Sequence, residues 1–306
     1  MSLVIFAAAC GARSANPHMV ATAITAVDAG QPERTRYGAV EFRGGLRLSG
    51  EGRGFGGWSG ARLDGAALTA INDIGWWMRL TLQYEAGRLV GADRETGRPL
   101  QDLDGEPIGD RKQWADAEGL TRWRDGWVVS FERHHRLWYY TPDLAAIPVR
   151  LAAPAGIARL EENKGLETIT ALADGRLLML AEEGGLGWIG SPGAWQPITW
   201  AVTEDFKPTD AVQLPSGALV VLERRFSIIG GFGARLSLVP ADQLTAGHHL
   251  NGRELLRLEP PMTVDNFESL AIGRGPDGET MLYLLSDDNF SSLQATLLLA
   301  FALVGE

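Results

Sequence analysis

Cysteine is all but missing from this chain: Cys10 is the only one among 306 residues, so no intramolecular disulfide can form. Basic charge is also short, with 28 Lys and Arg against 38 Asp and Glu and a formal net charge of −10. Nucleic acid and anionic membranes are held by Lys and Arg neutralising phosphates, so this balance disfavours both as partners. It suits cations as ligands. No stretch reaches the ~18 consecutive apolar residues of a membrane span, and no long amphipathic helix is legible. A phosphate-cradling Gly loop leading into a helix is missing as well, which leaves nucleotide binding little support.

What the chain has in quantity is glycine (38), tryptophan (10) and 45% apolar residues, a mix that suits many short strands joined by tight turns. Ahead of Cys10 runs the apolar stretch Leu3-Val4-Ile5-Phe6-Ala7-Ala8-Ala9, and Gly11 follows. Small residues before a lone Cys resemble the processing box of a bacterial lipoprotein, although Ala7 stands where Leu is usual and no basic segment precedes it. The plain alternative is a buried Cys in a first strand. Residues 1–20 are therefore expected to be the remnant of a signal or lipoprotein segment and a linker, with Cys10 as a lipid-attachment site. Residues 21–306 are expected to form one domain, monomeric and exported to the periplasm or cell envelope.

One unit recurs: a small or acidic start, an apolar strand, a turn ending in Gly, a second apolar strand and an acidic end. Its copies run Ser59–Asp73, Glu118–Glu132, Gly165–Glu183, Asp210–Glu223 and Glu268–Asp288. The turns are Asp64-Gly65, Asp125-Gly126, Asp174-Gly175, Ser216-Gly217 and Asp277-Gly278, a strong hairpin signal. The second strands Trp127–Phe131, Leu177–Ala181, Ala218–Leu222 and Met281–Leu285 are almost continuously apolar, as in strands covered on both faces. Starts near 60, 118, 167, 210 and 268 lie about 43 to 58 residues apart, and a four-stranded propeller blade takes roughly 40–50. The pattern predicts an all-β β-propeller of five or six four-stranded blades. The last unit is short and is expected to borrow an outer strand from Tyr37–Phe42 and Gly45–Ser49, so that N- and C-terminal strands close the ring. A degenerate sixth blade over 20–50 stays open. A two-sheet sandwich, the rival fold, leaves the repeat unexplained.

In a propeller the first strand of each blade lines the axis and the second runs antiparallel beside it. The start of one and the end of the other then share a face of the disc. That places Glu118 with Glu132, Glu167 with Glu182 and Glu183, Asp210 with Glu223, and Glu268 with Asp287 and Asp288 around one channel mouth. Ser59 and Asp73 make the first pair. So many carboxylates cannot all stay ionised uncompensated. A hard cation, Ca²⁺ being the best candidate, takes six to eight oxygens and could add Asn266 and Asn289 carbonyls. Alternatively Arg133, Arg224, Arg225 and Lys164 pair with the acids as inter-blade bridges, or some carboxyls keep their protons.

Asp265-Asn266-Phe267-Glu268-Ser269-Leu270-Ala271, Ser286-Asp287-Asp288-Asn289-Phe290 and Gln294-Ala295-Thr296-Leu297-Leu298-Leu299 resemble the C-terminal signature of the bacterial "esterase-like activity of phytase" family. Phe55–Gly60, Ala117–Leu120, Phe131–Arg133 and Leu222–Phe226 resemble its other blocks, and the likeness runs from about Tyr37 to the end. Trp58 and Ala295 depart from it, the latter standing where Arg is usual. The resemblance implies a phytase-like β-propeller, normally exported.

Two functions follow as expectations. The first is a Ca²⁺-dependent phosphoesterase acting on a small-molecule phosphoester. Glu118, Glu167, Asp210, Glu268, Asp287 and Asp288 would hold metal, while Arg133, Arg224 and Arg225 clamp phosphate. Glu268, Asp288 and Arg224 are the catalytic candidates. The second is a non-catalytic binding or scaffold propeller whose acidic ring forms structural salt bridges; the fold hosts both. A serine hydrolase fits less well, because Gly57-Trp58-Ser59-Gly60-Ala61 lacks the last Gly of a nucleophile elbow. The pairs His134-His135 and His248-His249 lack metal-ligand spacing, and Trp76-Trp77, Trp123, Trp127 and Trp138 read as packing between blades.

Overall fold

The computed structural model describes residues 19–305 apart from 53, 110, 111 and 163. Cys10 and the apolar run before it lie outside the described residues. Five four-stranded antiparallel blades follow one another around an axis. From axis to rim, blade one is Trp58–Asp64, Ala67–Asn72, Trp76–Glu85 and Arg88–Pro99. Blade two is Ala117–Trp123, Gly126–Phe131, Arg136–Tyr140 and Val149–Leu151. Blade three is Thr168–Ala171, Leu177–Leu180, Leu186–Ser191 and Ala194–Trp200, with His249–Leu250 added in parallel at its edge. Blade four is Lys207–Gln213, Leu219–Ser227, Gly231–Val239 and Arg253–Leu258. The inner strands of blades one to five touch in turn, and the fifth touches the first.

Blade five takes three strands from the C-terminal end, Asn266–Arg274, Thr280–Asp287 and Thr296–Leu303, and its outer strand, Val40–Gly50, from the N-terminal end. Leu303 pairs with Val40 and Thr296 with Leu48. The borrowed strand is the one expected from its extended pattern. Residues 20–50 build no sixth blade: Met19–Ile24 and Arg36–Tyr37 pair with Val40–Gly50 itself.

Five apolar clusters fill the five spaces between blades. This explains why the second strands are almost continuously apolar. Leu177 and Met179 pack toward blade two, Leu178 and Leu180 toward blade four. Leu219 and Val221 face blade three, while Val220 and Leu222 face blade five. The period of two is intact, but both faces meet protein. Gly65, Gly175, Gly217 and Gly278 take the positive φ their turns need. The second hairpin differs: Arg124 carries the positive φ, and Gly126 is required instead because a Cβ there would lie 2.3 Å from the Tyr140 carbonyl oxygen.

Candidate functional site at the mouth of the ring

In four blades the inner strand bulges beside its first residues. The register skips between Trp58 and Gly60, Ala117 and Gly119, Pro208 and Asp210, and Phe267 and Ser269. A bulge leaves one residue unpaired and re-aims its side chain. The skipped residues are Ser59, Glu118, Thr209 and Glu268; in blade three Glu167 occupies the equivalent place just before Thr168. These five form the inner ring of the mouth.

A second ring follows from the register of the neighbouring strands. Trp58 pairs with Asn72, Ala117 with Phe131, Pro208 with Glu223 and Phe267 with Ser286, the last from the same ladder that joins Asn266 to Asp287. The next residue in each second strand is Asp73, Glu132, Arg224 or Asp287, and Glu182 completes the set in blade three. Blades two, three and five thus contribute an acid to each ring, blade one a serine and an acid, blade four a threonine and an arginine.

Arg224 is the cation within these rings. Its Nη2 lies 3.3 Å from Glu268, 3.5 Å from Glu167 and 3.5 Å from Glu182, tying blades three, four and five together. Burial works to lower its pKa, but Glu167, Glu268 and Glu182 more than offset this and hold it up. The other acids have less counter-charge. Glu118 is pushed well above the usual carboxylate range by burial and then by Glu132, Glu167 and Asp116. Glu167 and Glu268 are raised by burial despite the pull of Arg224. Glu132 is pushed up to about 7 by burial, opposed by the Gly165 N–H that it accepts. Asp287 rises to about 9 through burial and then the charge of Glu268.

One place at the mouth offers convergent carboxylate oxygens, and a second sets an amide beside two acids. Asp116, Glu118 and Glu132 each present an oxygen within 4.8 Å of the others, with Asp116 also accepting from Arg133 Nε. Across the ring, Asn266 pairs with Asp287 in the blade-five ladder and donates from Nδ2 to Glu268 Oε1 at 2.8 Å. Asn266 is 3% exposed, and its Oδ1 is buried without a hydrogen-bond partner. A buried acceptor beside acids that repel one another is what a cation would satisfy. The first place has the spacing of oxygens that a hard divalent ion takes, and the second has the donor chemistry for one. Without one, a carboxyl held near 7 can give or take a proton at neutral pH.

Residues 53–290 match the family model described as phytase-like, esterase-like activity of phytase. The chain belongs to this phytase-like family. Among curated proteins none matches it. Solved structures with a similar course include streptogramin B lyase, at 10% identity over 94% of this chain and 98% of that one, with a TM-score of 0.45. A gluconolactonase from Xanthomonas campestris is similar at 12% identity over 85% and 79%, TM-score 0.44. Glutaminyl cyclase from Myxococcus xanthus is similar at 11% over 82% and 92%, TM-score 0.42. None of these likenesses carries an argument about this chain's chemistry.

The mouth of this phytase-like propeller differs in several positions from the sequence expectation. Glu118, Glu167, Glu268 and Asp287 are brought together. Asp210 is not: it lies one residue past the bulge and turns into the channel, where Arg62 grips it at 2.6 and 2.8 Å. The Leu270 and Ala211 N–H groups donate to it as well, each at 2.8 Å. A one-residue slip sends a strand side chain to the other face, so Thr209, not Asp210, is the blade-four member of the ring. Glu223 is fully buried for the same reason, bonded to Arg235, Ser237 and Trp200.

Asp288, expected at the metal, has both oxygens engaged. Oδ1 accepts from the Gly57 and Phe290 N–H groups and Oδ2 from Thr296, clamping the blade-five loop to blade one. Arg133 stays at the edge on Asp116. Arg225 lies on the opposite face of its strand from Arg224, paired with Glu259 at 2.5 Å and stacked on Phe206. Arg62, absent from the expected set, was the main omission. Besides Asp210 it donates to the carbonyls of Ala61, Leu270, Ile169 and Ala211 at 2.6 to 3.2 Å. Its guanidinium stops the channel three residues below Ser59 and makes the mouth a closed cup.

Proposed function

We propose that the cup is a divalent-cation site best matched to Ca²⁺, and that the ion held there receives a phosphoester for hydrolysis. The observation that carries this is Asn266: a buried side-chain oxygen without a partner, set between Glu268 and Asp287 in a ring with too many acids for its one arginine. Membership of the phytase-like family supports a phosphoester as the substrate class. Asn266, Glu268 and Asp287 would form one seat, and Asp116, Glu118 and Glu132 the facing one. Oxygen donors, several of them charged, suit a hard ion with a high coordination number. When bound, the ion supplies positive charge to the acids and to an incoming phosphate. Arg224, between blades three and five, is placed to share a phosphate oxygen by turning from its glutamates. Export, read from the run before Cys10, belongs to the same proposal. Among the described residues no helix is long and apolar enough to cross a membrane.

One observation favours a second reading, a binding or scaffold propeller: Arg224 already bridges three blades, as a purely structural pair would. A thermal melt in EGTA and then in millimolar Ca²⁺, with a phosphomonoester assay under both conditions, separates them. An ion at about 100 times its Kd adds about 2.7 kcal/mol to the folded state, so a saturable rise of several degrees is expected. Ca²⁺-dependent phosphate release then supports hydrolysis. A rise without turnover leaves a cation-dependent binding propeller, and no rise leaves Arg224 as a structural bridge.

A further inference from the structure

The second strand of every blade runs up to the mouth and turns there, so the loops after these strands share one face of the disc. Most of the large apolar residues exposed among the described residues lie on that face. The extreme case is blade four. Its second strand carries Arg224 in the ring, continues to Ser227 and turns at Ile228 and Ile229, which are 96% and 102% exposed. The turn is built rather than frayed. Phe226 pairs with Phe232 across the hairpin with ring centroids 4.8 Å apart, and the Gly230 N–H donates to Ser227 Oγ at 2.9 Å. Ile228 lies four steps of extended chain beyond Arg224, so the tip stands about 13 Å beyond the ring. Leu293, 94% exposed, and Phe290 rise from the blade-five loop beside it, and Leu186 from blade three.

We propose that this face docks on a phospholipid surface in a Ca²⁺-dependent manner, with Ile228 and Ile229 inserted and lipid phosphates seated over the cation-filled cup. The inference rests on the cation reading of the mouth. Charge sets the condition: a chain of net charge −10 with an acidic mouth repels anionic headgroups, and an ion in each seat would offset much of the acid charge there and offer a lipid phosphate oxygen a ligand position. Shape agrees. A narrow two-residue aliphatic tip offers no groove to a protein partner, whereas interfacial apolar groups sink about 5–10 Å into the headgroup boundary. A tip of about 13 Å then leaves the cup at phosphate level. Such docking would bring the site to the phosphoesters of lipids rather than to free solutes.

The test is co-sedimentation with phosphatidylcholine–phosphatidylserine vesicles in Ca²⁺ and in EGTA, beside the melt in the same buffers. Wild-type protein is expected to pellet with vesicles in Ca²⁺ and not in EGTA. The Ile228→Ser/Ile229→Ser variant is expected to keep the Ca²⁺-induced rise in melting temperature and lose vesicle affinity about a hundredfold. A melt that responds to Ca²⁺ with no vesicle binding overturns the docking alone. A melt that does not respond overturns the cation reading, and the docking with it. Unchanged vesicle binding by the serine variant, or a dimer that the variant abolishes, shows that the tip does not enter lipid and overturns the inference.

Discussion

One carboxylate in the channel and a group of them at the mouth lie a few residues apart on the two innermost strands of the blades, and they are treated in opposite ways. In the channel, Asp210 has a bidentate arginine and two N–H donors, and that arginine is itself satisfied by carbonyls from four blades. At the mouth, Glu167, Glu182 and Glu268 share Arg224, Glu182 also lying 3.7 Å from Lys207, while Glu118, Glu132 and Asp287 are crowded by like charge, and Asn266 Oδ1 has no partner. A fully paired buried charge holds blades together. A surplus of like charge is a cost the fold carries at one place, and such places are where ligands bind.

Breaking the satisfied set should have the largest effect. Asp210→Ala leaves the Arg62 charge buried and unpaired, a loss of about 3–5 kcal/mol in chemical denaturation. A loss under about 1 kcal/mol would show that water or another acid takes its place.

The unsatisfied set should respond to pH. Asp287, about 9 when folded, has an unfolded value near 3.9. Below about pH 4 both states hold the proton; between there and about 9 the unfolded chain releases it first, so the folded state binds more protons and stability falls as pH rises. Glu132, about 7 when folded, acts in the same direction over a narrower window. The melting temperature in EGTA is therefore expected to drop by several degrees between about pH 5 and about pH 8.5, and saturating Ca²⁺ to flatten the slope. A flat profile in EGTA would contradict the charge surplus.

Asp287→Asn removes a group that must take up a proton on folding at mildly alkaline pH and keeps an oxygen for the Asn289 N–H. In EGTA near pH 8.5 the variant is expected to be more stable than wild type by on the order of 1 kcal/mol, and to bind Ca²⁺ at least about tenfold more weakly. Destabilisation under those conditions would place Asp287 among the satisfied acids. The smallest effect is expected of Arg225→Ala, which loses a partly exposed pair with Glu259 and a contact with Phe206, about 0.5–1 kcal/mol, without altering Ca²⁺ binding.

The hairpins, the five repeats and the borrowed closing strand were legible because each rests on local signals: Asp-Gly turns, apolar runs and unit length; a sixth blade over 20–50 stayed open, because pairing of Met19–Ile24 with Val40–Gly50 leaves no local mark. The mouth was legible wherever a glutamate starts the repeat, as at Glu118, Glu167 and Glu268. It failed in blade four, where the unit begins Pro208-Thr209-Asp210-Ala211. Aligning the small residue after the bulge, as in Ala117-Glu118-Gly119-Leu120 and Phe267-Glu268-Ser269-Leu270, places Thr209 with the glutamates and Asp210 one step inside. Acid spacing alone does not reveal a bulge, because the bulge shifts side chains by a single position. Arg62 was out of reach for a different reason: its partners come from four blades and are mostly carbonyls, which every sequence has.

The most direct test of the cation account is calorimetric titration of the apo protein with Ca²⁺ near pH 8, in two buffers of different ionisation enthalpy. The account predicts saturable binding with net release of protons, since an ion entering between Glu268 and Asp287 must displace the proton that Asp287 holds. An absence of saturable binding would contradict it and leave the mouth a proton-sharing, arginine-bridged closure of the ring.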